Sequence, residues 1–265
     1  MTVYACLKWV SHPDEPHDER FAGMSPADQS ALEFALRQAE RLGVGATAVT
    51  VGPTGADRVL RDALACGATR AVRIDAPTTA AGVDVGLAIA DHLTDAQWVW
   101  CGDHSLDRGA GSVPAFIAAQ LGAQQALGVV SVELVDDGVH AVRRLDGGRR
   151  EVLGVRPPAV VSVEGATAPL RRASLAALRT ASSATIDVLQ PTTPIRMMEF
   201  MVRPYRPRAR ALPAPVGGTA LERLAVLTDA AAASAARGET VHLEPSAAAE
   251  RIVRALRDWG HLPEA

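Results

Sequence analysis

Between Val3 and Leu121 the chain repeats one pattern: a short apolar run, a turn, then a stretch whose apolar residues recur at helical spacing. Strands are predicted over residues 3–10, 46–51, 70–74 and 98–101, with helices over 27–42, 56–66, 83–93 and 113–121. In the first helix Leu32, Ala35, Leu36, Ala39 and Leu42 share a face. Ser25 is its expected N-cap, Pro26 takes the favoured first position and Gly43 stops it. Gly67 ends the second helix in the same way. Strands alternating with helices at this spacing predict a parallel sheet covered on both faces, a Rossmann-like α/β domain.

After residue 128 the pattern changes. Residues 129–135, 139–145 and 149–155 are strand-like, and Asp136-Asp137-Gly138 and Asp146-Gly147-Gly148 supply the turns of an antiparallel meander. A buried strand over 159–163 is expected to rejoin the main sheet. Residues 190–218 are rich in proline and arginine and hold Met197, Met198, Phe200 and Met201, the composition of an arm lying on another surface. A helix over 219–236, a strand over 240–243 and a helix over 247–259 are expected to follow. The predicted division is an α/β domain over residues 1–189 and an extended segment over 190–265.

The stretch WVWCGDHSLDRGAGS, residues 98–112, reads as a buried strand running into a polar, glycine-rich loop and then a helix. Gly102, Gly109 and Gly111 allow close backbone approach, and free amides beside a helix N-terminus form an anion site. A plain strand-to-helix turn is the competing reading. The loop lacks the Lys-Ser/Thr ending of a P-loop and the spacing of a dinucleotide fingerprint. Hydrophobic residues make up 48% and charged residues 22%, a balance expected of a soluble protein. A net charge of −3 argues against a general affinity for nucleic acid. No apolar run is long enough to insert in a bilayer, and the chain starts directly in a strand, so a cytoplasmic location is expected.

Cys6, Cys66 and Cys101 have no ligand or CxxC spacing and are expected to be small buried thiols, with no metal site. His12, Asp14, His17 and Asp18 are read as a solvated loop. Asp103, His104, Ser105 and Asp107 are too close in sequence to form a hydrolytic triad. Arg203, Arg206, Arg208 and Arg210, interleaved with proline, are read as part of the arm.

Taken together, several blocks resemble the β subunit of electron transfer flavoproteins. ACLKWV is similar to the family's opening strand with its Val-Lys pair, and SPADQSALEFALRQAERLG to its Asn-Pro-Phe-Asp/Cys helix. VTVGPTGADRVLRDALACGATRAVRI resembles the family's strand, Gly-Pro turn and Ala-Leu-Ala-Met-Gly-Ala block. WVWCGDHSLDRGAGSV falls at the family's phosphate loop, and LDGGRREVLGVRPPAVVSVEG at its Asp-Gly-Gly and Leu-Pro-Ala-Val-Val signature. APLRRASLAALRTASSATIDV falls at its partner-recognition loop, residues 168–186 here.

The resemblance implies an electron-carrying subunit without acid–base catalytic residues of its own. Its partners would be an α subunit holding most of the FAD site, a dehydrogenase donor and a quinone-linked acceptor. The β subunit would also bury AMP, replaced by a second FAD in bifurcating relatives. Carried over position by position, the nucleotide contacts are Cys6, Ser25, Asp28, Val51, Gly102, Asp107, Arg108, Gly109, Gly111, Ser112 and Val113. Asp103 stands where the family has lysine, Ala110 where it has threonine and Ser112 where it has glutamine, with Arg108 a candidate to restore the positive charge. Leu175 and Leu178 are the implied anchors for the dehydrogenase, and Thr180–Ala184 replaces a lysine run. These departures imply a lineage with a dedicated donor, a mycofactocin-associated flavoprotein being one such case. The arm over residues 190–215 is expected to wrap the α subunit. A stand-alone nucleotide-binding regulator of the universal-stress type shares the sheet pattern and is the rival reading; an adenylating hydrolase would need a Ser-Gly-Gly pyrophosphate loop, which is missing.

Overall fold

The computed structural model describes residues 2–11, 22–198, 215, 217–228 and 241–262. The chain divides into two compact units, Met1–Met201 and Val202–Ala265. The first is the α/β domain predicted from the alternation. Its strands are β1 (Thr2–Cys6), β2 (Ala46–Gly52), β3 (Arg70–Asp75), β4 (Ala96–Gly102), β5 (Gln124–Val135), β6 (Gly138–Arg144), β7 (Arg150–Val155), β8 (Ala159–Val163) and β9 (Asp187–Leu189). Its helices are α1 (Pro26–Leu42), α2 (Asp57–Cys66), α3 (Gly82–His92), α4 (Val113–Leu121) and α5 (Leu175–Ser182).

The strands form one sheet in the order β7-β6-β5-β8-β4-β1-β2-β3-β9. Every neighbouring pair from β5 to β9 in that order is parallel, and only β5–β6 and β6–β7 are antiparallel. The chain steps outward from β1 to β2 and β3, then returns so that β4 pairs with the other side of β1. This reversal opens a crevice at the carboxyl ends of β1 and β4, the usual position of a ligand in an open α/β sheet.

Side-chain alternation on the strands builds a core on each face. Ala5, Trp98, Trp100 and Val161 pack with Leu32, Phe34 and Leu60 of α1 and α2. Val99, Cys101 and Val160 pack with Ile89 of α3 and Ile117 of α4. Phe34 stacks on Trp100 with ring centroids 5.2 Å apart, and Trp98 lies 6.3 Å beyond. Burying each such side chain stabilises the domain by about 1.5–3 kcal/mol. The capping signals act as predicted: Ser25 Oγ accepts the Asp28 N–H, and Gly43 ends α1 at φ 65°. Gly86 lets α3 and α4 approach, since a Cβ there would lie 2.6 Å from Phe116 Cβ.

The meander forms as expected, and β5 is longer than the sequence suggests. Its first half pairs in parallel with β8 and its second half antiparallel with β6. The change of partner occurs around Gly128, which adopts φ 67° and donates its N–H to Ser162 Oγ at 3.0 Å. Two elements were not anticipated: α5, and the three-residue β9 that covers the edge of β3. The start of the expected arm lies along this same domain. Arg196 pairs with Asp84, Met198 N–H donates to Thr79 O at 2.8 Å, and Ala80 forms an antiparallel bridge with Met197.

In the second unit, α6 (Ala220–Leu227) opens with a capping box between Thr219 and Glu222, and α7 (Pro245–Asp258) follows. The predicted helix over 219–236 thus ends at Leu227, with 229–236 outside the described residues. Val241–Leu243 is not a strand, correcting that expectation for its described part. Residues 12–21, with the His12–Asp18 loop, and 199–214, with most of the arm, also lie outside the described residues.

Candidate functional site

The crevice is built from the end of β1, the start of α1, the end of β4 and the loop from β4 to α4. Beyond Cys6 the chain leaves the sheet, and Leu7 N–H still donates to Val49 O at 2.8 Å. The next amide, of Lys8, donates to Asp28 Oδ2 at 3.3 Å. Asp28 sits in the first turn of α1 and is only 6% exposed. Burial pushes its carboxyl pKa up to about 6, against the opposing pull of the Lys8 amide and Ser25.

Gly102 is where β4 meets α1. A Cβ at that position would lie 2.6 Å from Asp28 Oδ1 and 3.0 Å from its main-chain nitrogen, so only glycine fits without displacement. Gly111 is tighter still: its Cβ would lie 1.8 Å from Asp103 O. The loop between them is held by Ser105 N–H to Ala110 O at 3.1 Å and Gly109 N–H to Ser105 O at 2.8 Å, with Gly109 at φ 61°. Ser112 precedes α4 without a side-chain cap bond, so its hydroxyl leaves the first amides of the helix uncapped by that route.

The loop's charged groups turn toward one another. Lys8 Nζ lies 2.7 and 2.8 Å from the two carboxylate oxygens of Asp107. Burial tends to raise the Asp107 pKa, but the Lys8 bond and charge, Ser105 and Arg108 together hold it below the ordinary value. Arg108 donates to Ala80 O at 2.7 Å and to Thr78 O, and its Nε lies 3.8 Å from Asp107. Asp103 pairs with His104 at 2.7 Å.

Of the residues singled out in the sequence, Cys6, Ser25, Asp28, Gly102 and Asp107 are gathered around the β1/β4 crevice. Gly109, Gly111, Ser112 and Val113 form the loop and the start of α4. Val51 stands one strand away, near the end of β2 and partly packed in the core. Arg108 faces the 78–80 carbonyls. Sequence reasoning did not assign Lys8 to the site. The signal was there: it is the only lysine of the chain and lies within the predicted first strand, two residues beyond where β1 ends. Cys6 and Cys101 are in register on adjacent strands, both buried. The hydrogen bond to Cys6 and burial hold the Cys101 thiol well above the ordinary range, which makes it a poor nucleophile. Among the described residues no cluster of histidine, cysteine and carboxylates fits a metal ion. None of the described helices is long and apolar enough to cross a membrane.

A second feature lies on the α1/α2 side of the sheet. Helix α5, capped at its start by Ser174, presents Leu175 at 75% and Leu178 at 44% exposure. Its last turn is held by Arg61, whose guanidinium donates to the carbonyls of Ala181, Ser182 and Ala184 at 3.0–3.1 Å. A cation on these carbonyls also complements the helix dipole. Ahead of α5, Arg171 is clamped by Glu33 and Glu40 of α1. A cleft of about 420 Å³ between α2 and α5 is lined by Thr54, Gly55, Arg58, Arg61, Leu178 and Ser182, among others.

Comparison with known proteins gives a consistent picture. Residues 18–194 match the family described as the electron transfer flavoprotein domain. The chain is 34% identical to "Protein FixA" of Bradyrhizobium diazoefficiens, over 60% of this chain and 59% of that one. It is 33% identical to the electron transfer flavoprotein subunit beta of Thermoanaerobacterium thermosaccharolyticum, over 52% and 55%. The corresponding subunit of Chromohalobacter salexigens is 30% identical over 76% of this chain and 75% of its own length. The chain spans less than two thirds of the length of the first two relatives.

Proposed function

The chain belongs to the electron transfer flavoprotein family as a β-type member, and from that premise we propose that it is the β subunit of a heterodimeric electron carrier. The observation that supports this most is that the match over residues 18–194 takes in α1, β4 with its loop to α4, and helix α5. In this reading the chain positions and docks; it performs no acid–base step. FAD, held mainly by an α subunit, supplies the electron-carrying chemistry when bound. Leu175 and Leu178 give the electron donor, a dehydrogenase, an apolar anchor point on a helix fixed at both ends. The arm over residues 190–215 engages the α subunit, and a quinone-linked oxidoreductase receives the electrons. The complex works in the cytoplasm.

The crevice suits the nucleoside part of an adenine nucleotide, with Ser25, Asp28 and the backbone around Gly102 as its polar lining. The phosphate fits less well, because Lys8 and Arg108 are both already engaged within the chain.

The test is co-expression with an α-type flavoprotein subunit, followed by a visible spectrum and nucleotide extraction of the purified complex. A yellow heterodimer is expected, and Leu175→Ala should slow its reduction by the donor without changing its flavin content. A chain that ignores the α subunit and retains ATP alone would overturn the reading in favour of a stand-alone regulator.

A further inference from the structure

The crevice carries an arrangement that bears on which ligand it admits. Its lysine is held by both oxygens of one carboxylate, at 2.7 and 2.8 Å. Its arginine is directed to the carbonyls of Thr78 and Ala80. Asp103 and the buried Asp28 add further carboxyl groups nearby. A phosphate entering this space meets more acidic than basic side chains, and reaches the Lys8 ammonium group only by taking it from Asp107.

The backbone cannot supply that exchange. Gly102 and Gly111 are packed so closely that even a methyl group would collide with Asp28 and Asp103. The Lys8 and Asp107 side chains, in contrast, are 36% and 25% exposed, so solvent reaches the pair and either partner can be displaced. Lys8 also has a long flexible stem, and its main-chain nitrogen stays anchored on Asp28 while the ammonium group moves.

We propose that the Lys8–Asp107 pair is a carboxylate gate on the crevice: Asp107 occupies the ammonium group that an anionic ligand needs, and the exchange sets the discrimination between a nucleotide and its nucleoside. Asp107 is then a specificity-determining residue that opposes the phosphate, and Lys8 is the group over which the two compete. The inference rests on reading the crevice as an adenine-nucleotide site.

The experiment is calorimetric titration of the full chain, freed of nucleotide, with AMP and with adenosine. Wild type, Asp107→Asn and Lys8→Met are compared after thermal melts establish that each is folded. Asp107→Asn should tighten AMP binding by roughly tenfold, the order expected on removing one competing charge at a partly solvated site. Adenosine carries no charge for Lys8 to recognise, so the gain is read as a rise in the AMP-to-adenosine affinity ratio. Lys8→Met should bring the AMP-to-adenosine ratio close to one. A loop that is merely damaged would lose both ligands together, so an unchanged ratio in Asp107→Asn overturns the gate. Failure of wild type and Asp107→Asn to bind either ligand overturns it as well. Flavin content and partner binding of the co-expressed complex are measured separately. A yellow heterodimer with an unchanged ratio therefore removes the gate alone, and a colourless chain without a partner removes the reading beneath it.

Discussion

Glu33→Ala probes how helix α5 is held. Glu33 is 4% exposed, and its carboxylate accepts four hydrogen bonds: from Arg37 Nε at 2.7 Å and from Arg171 N, Nε and a terminal nitrogen at 3.0, 3.0 and 3.2 Å. Breaking a buried ion pair from one side costs about 3–5 kcal/mol. Here the orphaned arginines are 44% and 32% exposed and regain water, which lowers the expected cost to about 2–3 kcal/mol. For a domain of this size that corresponds to a fall in Tm of about 4–12 °C.

The pH dependence fixes the sign. Burial tends to raise the Glu33 pKa, but the bonds from Arg171 and Arg37 outweigh it and hold the group below its ordinary value. A carboxyl depressed in the folded state stabilises it above the unfolded pKa of about 4.3, and that contribution is lost as pH falls. The gap between wild type and Glu33→Ala, measured by calorimetry, should therefore narrow on acidification below about pH 4. Hydrogen exchange should rise over residues 164–182, because Arg171 no longer fixes the approach to α5. Arg37→Ala, a half-exposed helical pair, should cost no more than about 0.5 kcal/mol. A Tm drop under about 2 °C for Glu33→Ala, or a gap independent of pH, would refute the argument that this carboxylate anchors α5.

Other outcomes follow from the crevice and the core. Asp28 has the opposite linkage: with its pKa raised to about 6, its contribution is present below the unfolded value of about 3.9 and is lost as pH rises through about 6. Asp28→Asn should remove that slope from a plot of urea midpoint against pH. Gly111→Ala should disrupt the loop, since its new methyl overlaps Asp103 O, and should abolish AMP and adenosine binding together in titration. Phe34→Ala should destabilise the domain by about 3–5 kcal/mol in urea unfolding and alter tryptophan fluorescence through the lost stack on Trp100.

The parallel half of the fold was legible because its signals are local. Apolar periodicity, the Ser25-Pro26 start and the Gly43 and Gly67 stops each act within one helical turn, and α1 and α2 begin and end close to where they indicate. Helix α5 and strand β9 were not legible because neighbours stabilise them. The first depends on Arg61 and Arg171, and the second on the free edge of β3. Within the crevice, Gly102 and Gly111 could be read from the sequence as sites of close approach. The Lys8–Asp107 pair could not, because its members are 99 residues apart and meet only after β4 has returned beside β1. Arg108 shows the same limit from the other side: its charge is evident in the sequence, while the carbonyls it faces belong to the end of a different strand–helix unit.

The change of partner along β5 has a practical consequence. The inner half of that strand completes the sheet that carries the crevice, and the outer half belongs to an outrigger whose turns, at Asp136-Asp137 and Asp146–Gly148, project from the far edge. Glycines with positive φ at 147 and 148 and the short 146–148 turn make that tip a natural graft point. A peptide tag or fluorophore spliced there would sit on the opposite edge of the sheet from β9. It would give a handle for following the chain in solution while leaving β9 and the loop from β4 to α4 unaltered.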